Sequence, residues 1–564
     1  MKIKNWINLI VVMGLLFTSF GIIPNKHSTA HAATIIHVKM GGSTSTGCGS
    51  TWTNACELRT ALVDASAGDE IWVAAGTYNP GTNREDSFHL KSGVAIYGGF
   101  AGMETAREQR DWQSNPTVLS GDIGVTVWNG DNSYHVVTGN GVDATAILDG
   151  FTITEGNADG PSSDYFRGGG MYNDDGSPSL VNVTFNLNHA TEGGGMYNDD
   201  GSPSLVNVTF SLNDAREGGG IYNVVGSPYL ANVTFSSNSA QDFGGGMFNS
   251  GGSPSLVNVI FIGNSANDGG GLYTGGSPSL TNVIFNGNQA IIYGGGMLNG
   301  GSPSLVNVTF SSNNSGNGSG MYNGGAPTLT NTIFWESQIY NDETSLSSIQ
   351  YSNVQGGCAT IPGNNCSGGG NIDADPLFAR DPHPGPDGFW GTADDDYGDL
   401  RLQYGSPVID AGDNTAPGLA GITTDLGGKP RFYDVPEITD TGVGPAPVVD
   451  MGAYERQANH APVAKDDSYS TKEDVPLHIG GLGILANDND PDGDSLSPML
   501  VKEPISGSLT LNPDGSFDYL PAEDYFGVVT FTYRATDSLL DSNIATATIN
   551  VIEVSEVYLP VIVR

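Results

Sequence analysis

Positive charge is scarce in this sequence. Its 564 residues carry 21 Lys and Arg against 61 Asp and Glu, a net charge of −40. That balance argues against nucleic acid or an anionic membrane as partner, and is compatible with divalent cations and with a soluble secreted chain. Helical patterning is missing over the central third, where no window repeats its apolar residues every 3.6 positions. Cysteine is limited to two pairs, Cys48/Cys56 and Cys358/Cys366, each eight residues apart. Neither has the CxxC spacing or clustered His of a metal site, and in an oxidising compartment each is placed to close a small loop.

What fills the centre is one unit written seven times from Gly168 to Phe334. Its first copies read GGGMYNDDGSPSLVNVTFNLNHATE and GGGMYNDDGSPSLVNVTFSLNDARE, and the Gly triplet returns at Gly218, Gly244, Gly269 and Gly294. Steps of 24 to 26 residues, rich in Gly, Asn, Val and Phe, are turns of a parallel β-helix. Leu180, Val183 and Phe185 cannot share one side of a straight strand, because side chains alternate with period two. A bend at Asn182, a residue type that tolerates left-handed backbone angles, restores the phase. Asn182, Asn207, Asn232, Asn258, Asn282, Asn307 and Asn331 therefore form a corner ladder, and Asn188 with its equivalents a second one. Position 184 alternates between Thr and Ile down the copies. At about 4.8 Å per coil the seven units make a rod segment roughly 34 Å long.

The chain divides by composition. Residues 1–32 read as an export signal, with Lys2 and Lys4 before an apolar run and Ala30-His31-Ala32 as the cleavage site. The mature chain is then secreted, possessing no membrane span. Residues 33–160 are the cap and first irregular coils, with a helix over Glu57 to Ala67 covering the open edge. Residues 161–356 are the regular coils. Residues 357–457 change character and are expected to give the last coils plus a cap. Residues 458–553 alternate apolar and polar positions over short strands, the pattern of an antiparallel β-sandwich. The tail, 554–564, is too short to span a bilayer. The fold class is all-β throughout.

The stretches GDEIWVAAGTYNPG, SGVAIYGGFAGMETAREQRDW, LSGDIG, ILDGFTITEGNA and the GGGMYN coils resemble bacterial secreted right-handed parallel β-helix proteins, among them relatives of polymorphic outer-membrane protein repeats. DADPLF, TDLGGKPR and VDMGAYE resemble the choice-of-anchor Q region of such proteins. The last segment resembles the bacterial cadherin-like Ig domain, which implies Ca²⁺ at Asp488, Asp490, Asp492 and Asp494, helped by Glu473 and Asp537. A hydrated turn is the alternative there. The fold carries lyases, hydrolases, adhesins and binding proteins alike, so the resemblance specifies architecture and not activity.

Three sets of residues are candidates for chemistry. Asp174, Asp175, Asp199 and Asp200 occupy the same loop of adjacent coils and read as solvated turn, cation site or carboxylate pair. A lyase needs a cationic base, yet between Gly168 and Phe334 there is no Lys and one Arg, Arg216. A Gly-His-Gly loop and an Arg-Ile-Lys run are also absent. The acidic loop holding Asp387, Asp394, Asp395, Asp396 and Asp399 suits Ca²⁺ through Asp394 and Asp396, or is simply solvated. Tyr172, Tyr197, Tyr222, Phe248, Tyr273 and Tyr322 form a column that either fills the core or stacks on sugars outside. The leading expectation is a binding or adhesion protein for a polysaccharide or cell-surface ligand; the second is a carbohydrate-active enzyme, a polysaccharide lyase or glycoside hydrolase.

Overall fold

The computed structural model describes residues 33–125, 128–361, 364–365, 369–436, 438–537 and 539–554. The expected export signal, Cys366 and nearly all of the tail lie outside them. Among the described residues no helix is long and apolar enough to cross a membrane.

Each coil is built from three strands. A Met-Tyr-Asn strand such as Met171–Asp174 leads through a GSPS turn into a long strand, Ser179–Asn186 in the first copy, and then into a short one, His189–Glu192. Equivalent strands pair in parallel and in register, Leu180 on Leu205 and Phe185 on Phe210. Among the described residues they make parallel sheets of 18, 10 and 6 strands, a parallel β-helix. Met171, Leu180, Val183 and Phe185 are all buried in one core that runs the length of the coils. The Phe rings from Phe185 to Phe334 stack at 4.3–5.1 Å. Such pairs add about 0.5–1.5 kcal/mol each beyond burial.

The bend lies at the Asn corner. Asn182 and its six equivalents have φ between 51° and 56°, and each amide donates to the preceding one, Asn207 to Asn182 at 3.2 Å. The second ladder, Asn188 to Asn313, is buried and ends on Ser337. A third, Asn173–Asn198–Asn223–Asn249, lies beside the GSPS turn, each Nδ2 also donating to a turn carbonyl. The Gly triplet is needed where coils cross closely: a Cβ on Gly169 would meet the carbonyl oxygens of His189 at 2.3 Å and Gly194 at 2.9 Å.

At the N-terminal end, Ile35–Ser43 pairs with Glu70–Ala74, and the Cys48–Cys56 disulfide closes a loop against it, Cys56 bridging to Val38 and Ser43. The helix is Leu58–Asp64, shorter than the sequence pattern predicts. Glu57 caps it, and Leu58, Ala61 and Leu62 pack on the core. Cys358 is likewise in a disulfide.

Of the segment expected to give the last coils and a cap, residues up to Ile372 add a last parallel rung, Asn364–Asn365 on Ser347–Ser348 and Ile372 on Asn353. Beyond it the chain runs back along the side of the long sheet, a course the sequence did not suggest. Gln289 Nε2 donates to the Trp390 carbonyl at 2.5 Å, Asn286 to Tyr397 at 2.7 Å, and Asn282 to Thr424 at 2.9 Å. Asn331 Oδ1 accepts from Asp413 N, and Thr309 Oγ1 from Ala453 N. Ile284 and Ile333 are buried beneath this lateral segment with Phe378, Leu400, Ile409 and Met451. Thr309, the equivalent residue of the coil between them, is buried there too, through its hydrogen bond from Ala453 N. Inside the segment, wholly buried Arg431 donates to the Asp450 and Gly452 carbonyls, both at 2.8 Å, with the Glu455 carboxylate 3.6 Å from its Nε. These residues come from the TDLGGKPR and VDMGAYE motifs, which are fastenings of the segment.

The C-terminal module packs a four-stranded sheet against a three-stranded one around Phe517, Tyr519, Phe531, Tyr533 and Ile549. Its pairings are antiparallel except that Asp467–Lys472 runs parallel to Ala545–Ile552.

Candidate functional site

The outward faces of two sheets meet along a re-entrant seam. Because Met171, Met196, Ile221 and Met247 point into the core, alternation turns Tyr172, Tyr197, Tyr222 and Phe248 outward. Tyr172, Tyr197 and Tyr222 stack in sequence at 5.6 and 5.4 Å, and Phe248 meets Tyr222 and Tyr273 edge-to-face at 4.8 and 4.9 Å. The facing wall is the residue before each Gly triplet: Glu192, Glu217, Phe243, Asp268 and Tyr293, paired successively between coils. Phe243 lies 5.1 Å from Tyr273, and Tyr293 4.4 Å from Tyr322. The Arg167 guanidinium sits over the Tyr197 ring at 4.8 Å while pairing with Glu192 at 2.8 Å.

Coverage is uneven along the seam. Tyr197 is 1% exposed, whereas Tyr222, Tyr273 and Tyr322 keep half-buried rings open to solvent. Burial raises the carboxyls of Glu217 and Asp268 above their ordinary range, and pushes the Tyr222 hydroxyl up to about 12. The sequence left open whether the Tyr column faces in or out. Its facing wall was missed, although the position before each Gly triplet is fixed in the repeat and was open to reading.

The Asp pairs do stack: Asp174 is in register with Asp199, and the Asp175 amide donates to the Asp199 carbonyl at 2.9 Å. Tyr197 donates to Asp199 at 3.2 Å. Burial first, then Asp175 and Asp199, raises the Asp174 carboxyl. Asp175 and Asp200 are exposed turn residues with φ 53°. Arg216 lies in the short sheet on Asp214–Glu217, and its guanidinium pairs with Asp242 at 2.7 Å and Glu217 at 3.8 Å. It is therefore committed to its own neighbours.

Of the expected calcium ligands, the acidic loop does not converge. Asp396 makes a bidentate pair with Arg380, both bonds at 2.9 Å; Asp394 accepts from Thr392; Asp399 pairs with Arg401. Among the described residues no three carboxylates of this loop come within 4.8 Å of one another. In the C-terminal module Asp490, Asp492 and Asp494 do converge within 4.8 Å. Asp488 does not join them and instead accepts from Lys465 N at 2.8 Å and from Tyr533. Glu473 accepts from Val554 N, and Asp537 from Leu539 N and Leu540 N. Asp490 is 8% exposed, and its Oδ2 is buried without a hydrogen-bond partner. An orphaned carboxylate oxygen inside an all-oxygen cluster fits Ca²⁺. Asp494 is also clasped by Arg456 at 2.7 and 2.8 Å, which joins the lateral segment to the module, and Asp492 by His460.

Together these features define a parallel β-helix protein with an appended β-sandwich module. The module, residues 459–553, matches the family model of the bacterial cadherin-like domain. A search of curated proteins gave no match. Among solved structures, pectate lyase Pel9A is similar with a TM-score of 0.44 and 15% identity, over 75% of this chain and 96% of that one. A nucleoside hydrolase-related hypothetical protein from Saccharophagus degradans, associated with carbohydrate metabolism, is similar with a TM-score of 0.14 and 19% identity, over 18% and 28%. At those values neither likeness bears on activity.

Proposed function

We propose that the chain is a secreted or surface-associated binding and adhesion protein that takes a neutral polysaccharide along the aromatic seam. The seam itself carries the reading. Half-buried rings at Tyr222 and Tyr273 offer faces for sugar stacking, and Glu217 and Asp268 beside them accept from hydroxyls. An anionic polymer would meet this row of carboxylates and a net charge of −40, so a neutral one is favoured. Arg167 and Arg216, the basic groups nearest the seam, are held in ion pairs, which leaves no unpaired cation there to act as a lyase base. The cadherin-like module, with Ca²⁺ held by Asp490, Asp492 and Asp494, serves as a stiffened spacer.

Glycan-array binding of the full mature chain, followed by calorimetry on the best neutral polysaccharide, tests this. Tyr222→Ala with Tyr273→Ala should weaken binding at least about tenfold, the loss of one to two stacked rings. Binding that survives both substitutions, or no binding across the panel, refutes the proposal. The enzymatic reading keeps one supporting observation, the raised Asp174 carboxyl beside Asp199. Reducing-sugar release or unsaturated-uronate formation that disappears in Asp174→Asn would establish it over a purely binding role.

A further inference from the structure

We propose that Asp410, Asp434 and Asp440 form a second calcium site, within the lateral segment and distinct from the cluster in the C-terminal module. Carboxylate oxygens of the three lie within 4.8 Å of one another. Two oxygens bound to one Ca²⁺ at 2.3–2.6 Å are at most about 5 Å apart, so that spacing admits a shared ion.

The independent observation is the state of Asp410. It is fully buried, and neither carboxylate oxygen has a hydrogen-bond partner. The other buried acids of this segment are satisfied. Asp425 accepts from Lys429 N and Glu455 N; Asp450 from Asp410 N and Arg456 N; Glu455 from Tyr433 N and Asp450 N. The main chain of Asp410 is equally well held, its carbonyl accepting from Thr441 N at 2.9 Å and Gly442 N at 3.1 Å. Among the described residues its carboxylate faces Asp434 and Asp440, with the Val435 backbone N–H nearby but short of a formed hydrogen bond. Among the described residues none of the three makes an ion pair. A buried, unpaired carboxylate facing two more must either take up a proton or share a cation with them. Burial followed by the charges of Asp440 and Asp434 raises the Asp410 carboxyl to about 7 in the ion-free protein, as that repulsion requires.

The donor set selects the ion. Three carboxylates without His or Cys disfavour zinc and copper. Asp434 and Asp440 are exposed, so water can complete the six to eight oxygens that Ca²⁺ accepts, whereas Mg²⁺ demands a tighter octahedron. The ion would fasten Asp434 and Asp440, on the chain between the Arg431 anchor and Thr441, to the buried Ile409-Asp410-Ala411 strip.

The test is calcium titration calorimetry on the full mature chain in an Asp490→Asn background, which removes the module's cluster. One bound Ca²⁺ per chain is expected to remain. Adding Asp434→Asn and Asp440→Asn should abolish it, together with the rise in melting temperature that Ca²⁺ produces over chelator. Both positions are exposed, and a native circular dichroism spectrum shows that the variant has folded. No Ca²⁺ bound in the Asp490→Asn background overturns the proposal, as does binding unchanged by the two added substitutions. A double variant melting above the parent in Ca²⁺ would show simple repulsion and likewise overturn it. Equal affinity for Mg²⁺ would overturn the choice of ion.

Discussion

Asn238 shows what a single residue does in this fold. Its Nδ2 donates to the Phe210 carbonyl at 2.9 Å and to Asn264 at 3.0 Å, while its Oδ1 accepts from the backbone and side chain of Asn213. One amide thus closes four bonds across three coils, and all are buried, where an unmade bond costs about 1–3 kcal/mol. The same scale explains what the sequence disclosed. The ladders at Asn182 and Asn188 were legible because a repeated residue in a repeated backbone must stack on itself. Asp394 and Asp396 misled because carboxylate spacing says nothing of where Arg380 will lie. Glu217 yields a pH prediction. Burial holds its carboxyl above the usual 4.5, so the folded coil binds that proton more tightly than the unfolded chain. Its contribution to stability is then complete below about pH 4 and is lost as pH rises through the raised value. Thermal melts in chelator should fall as pH rises above about 4, and Glu217→Gln should make that fall shallower.

At the level of elements, the lateral segment is the part that patterning described least well. Its strands are short, Phe378–Arg380 and Asp399–Leu402, and it has no repeat to reveal register. What places it is a set of contacts far apart in sequence, such as Asn331 with Asp413. The clasp to the module is equally non-local. Arg456 is 3% exposed and Asp494 7%, and the guanidinium also donates to the Leu402 carbonyl and Asn459. Removing one partner strands a buried charge, a cost of about 3–5 kcal/mol. Arg456→Leu should therefore lower the melting temperature, and Asp494→Asn made in that background should cost far less than in the wild type. A double-mutant cycle by denaturant unfolding reads both values.

For the molecule as a whole, the coil stack has two unlike halves. From Gly263 to Asn331 the coils are gripped by the lateral segment through Tyr397, Trp390, Thr424, Asp413 and Ala453. The coil Gly193–Glu217 takes part in none of those contacts and is held by its neighbouring coils, through register and side-chain pairs such as Arg216–Asp242. Duplicating Gly193–Glu217 should give a folded protein, longer by about 4.8 Å in solution scattering, with a cooperative melt. Duplicating Gly294–Asn317 should not, because it moves Asn331 and Ile333 one coil away from Asn282 and Asn286 and sets a Thr where Ile333 packs under the lateral segment.

The grip therefore gives the rod one adjustable end and one locked end. Near-identical neighbouring copies in the free half are where unequal recombination can add or delete a turn without touching the module's attachment. Reach can vary between descendants of this gene while the hardware that holds the far domain stays the same.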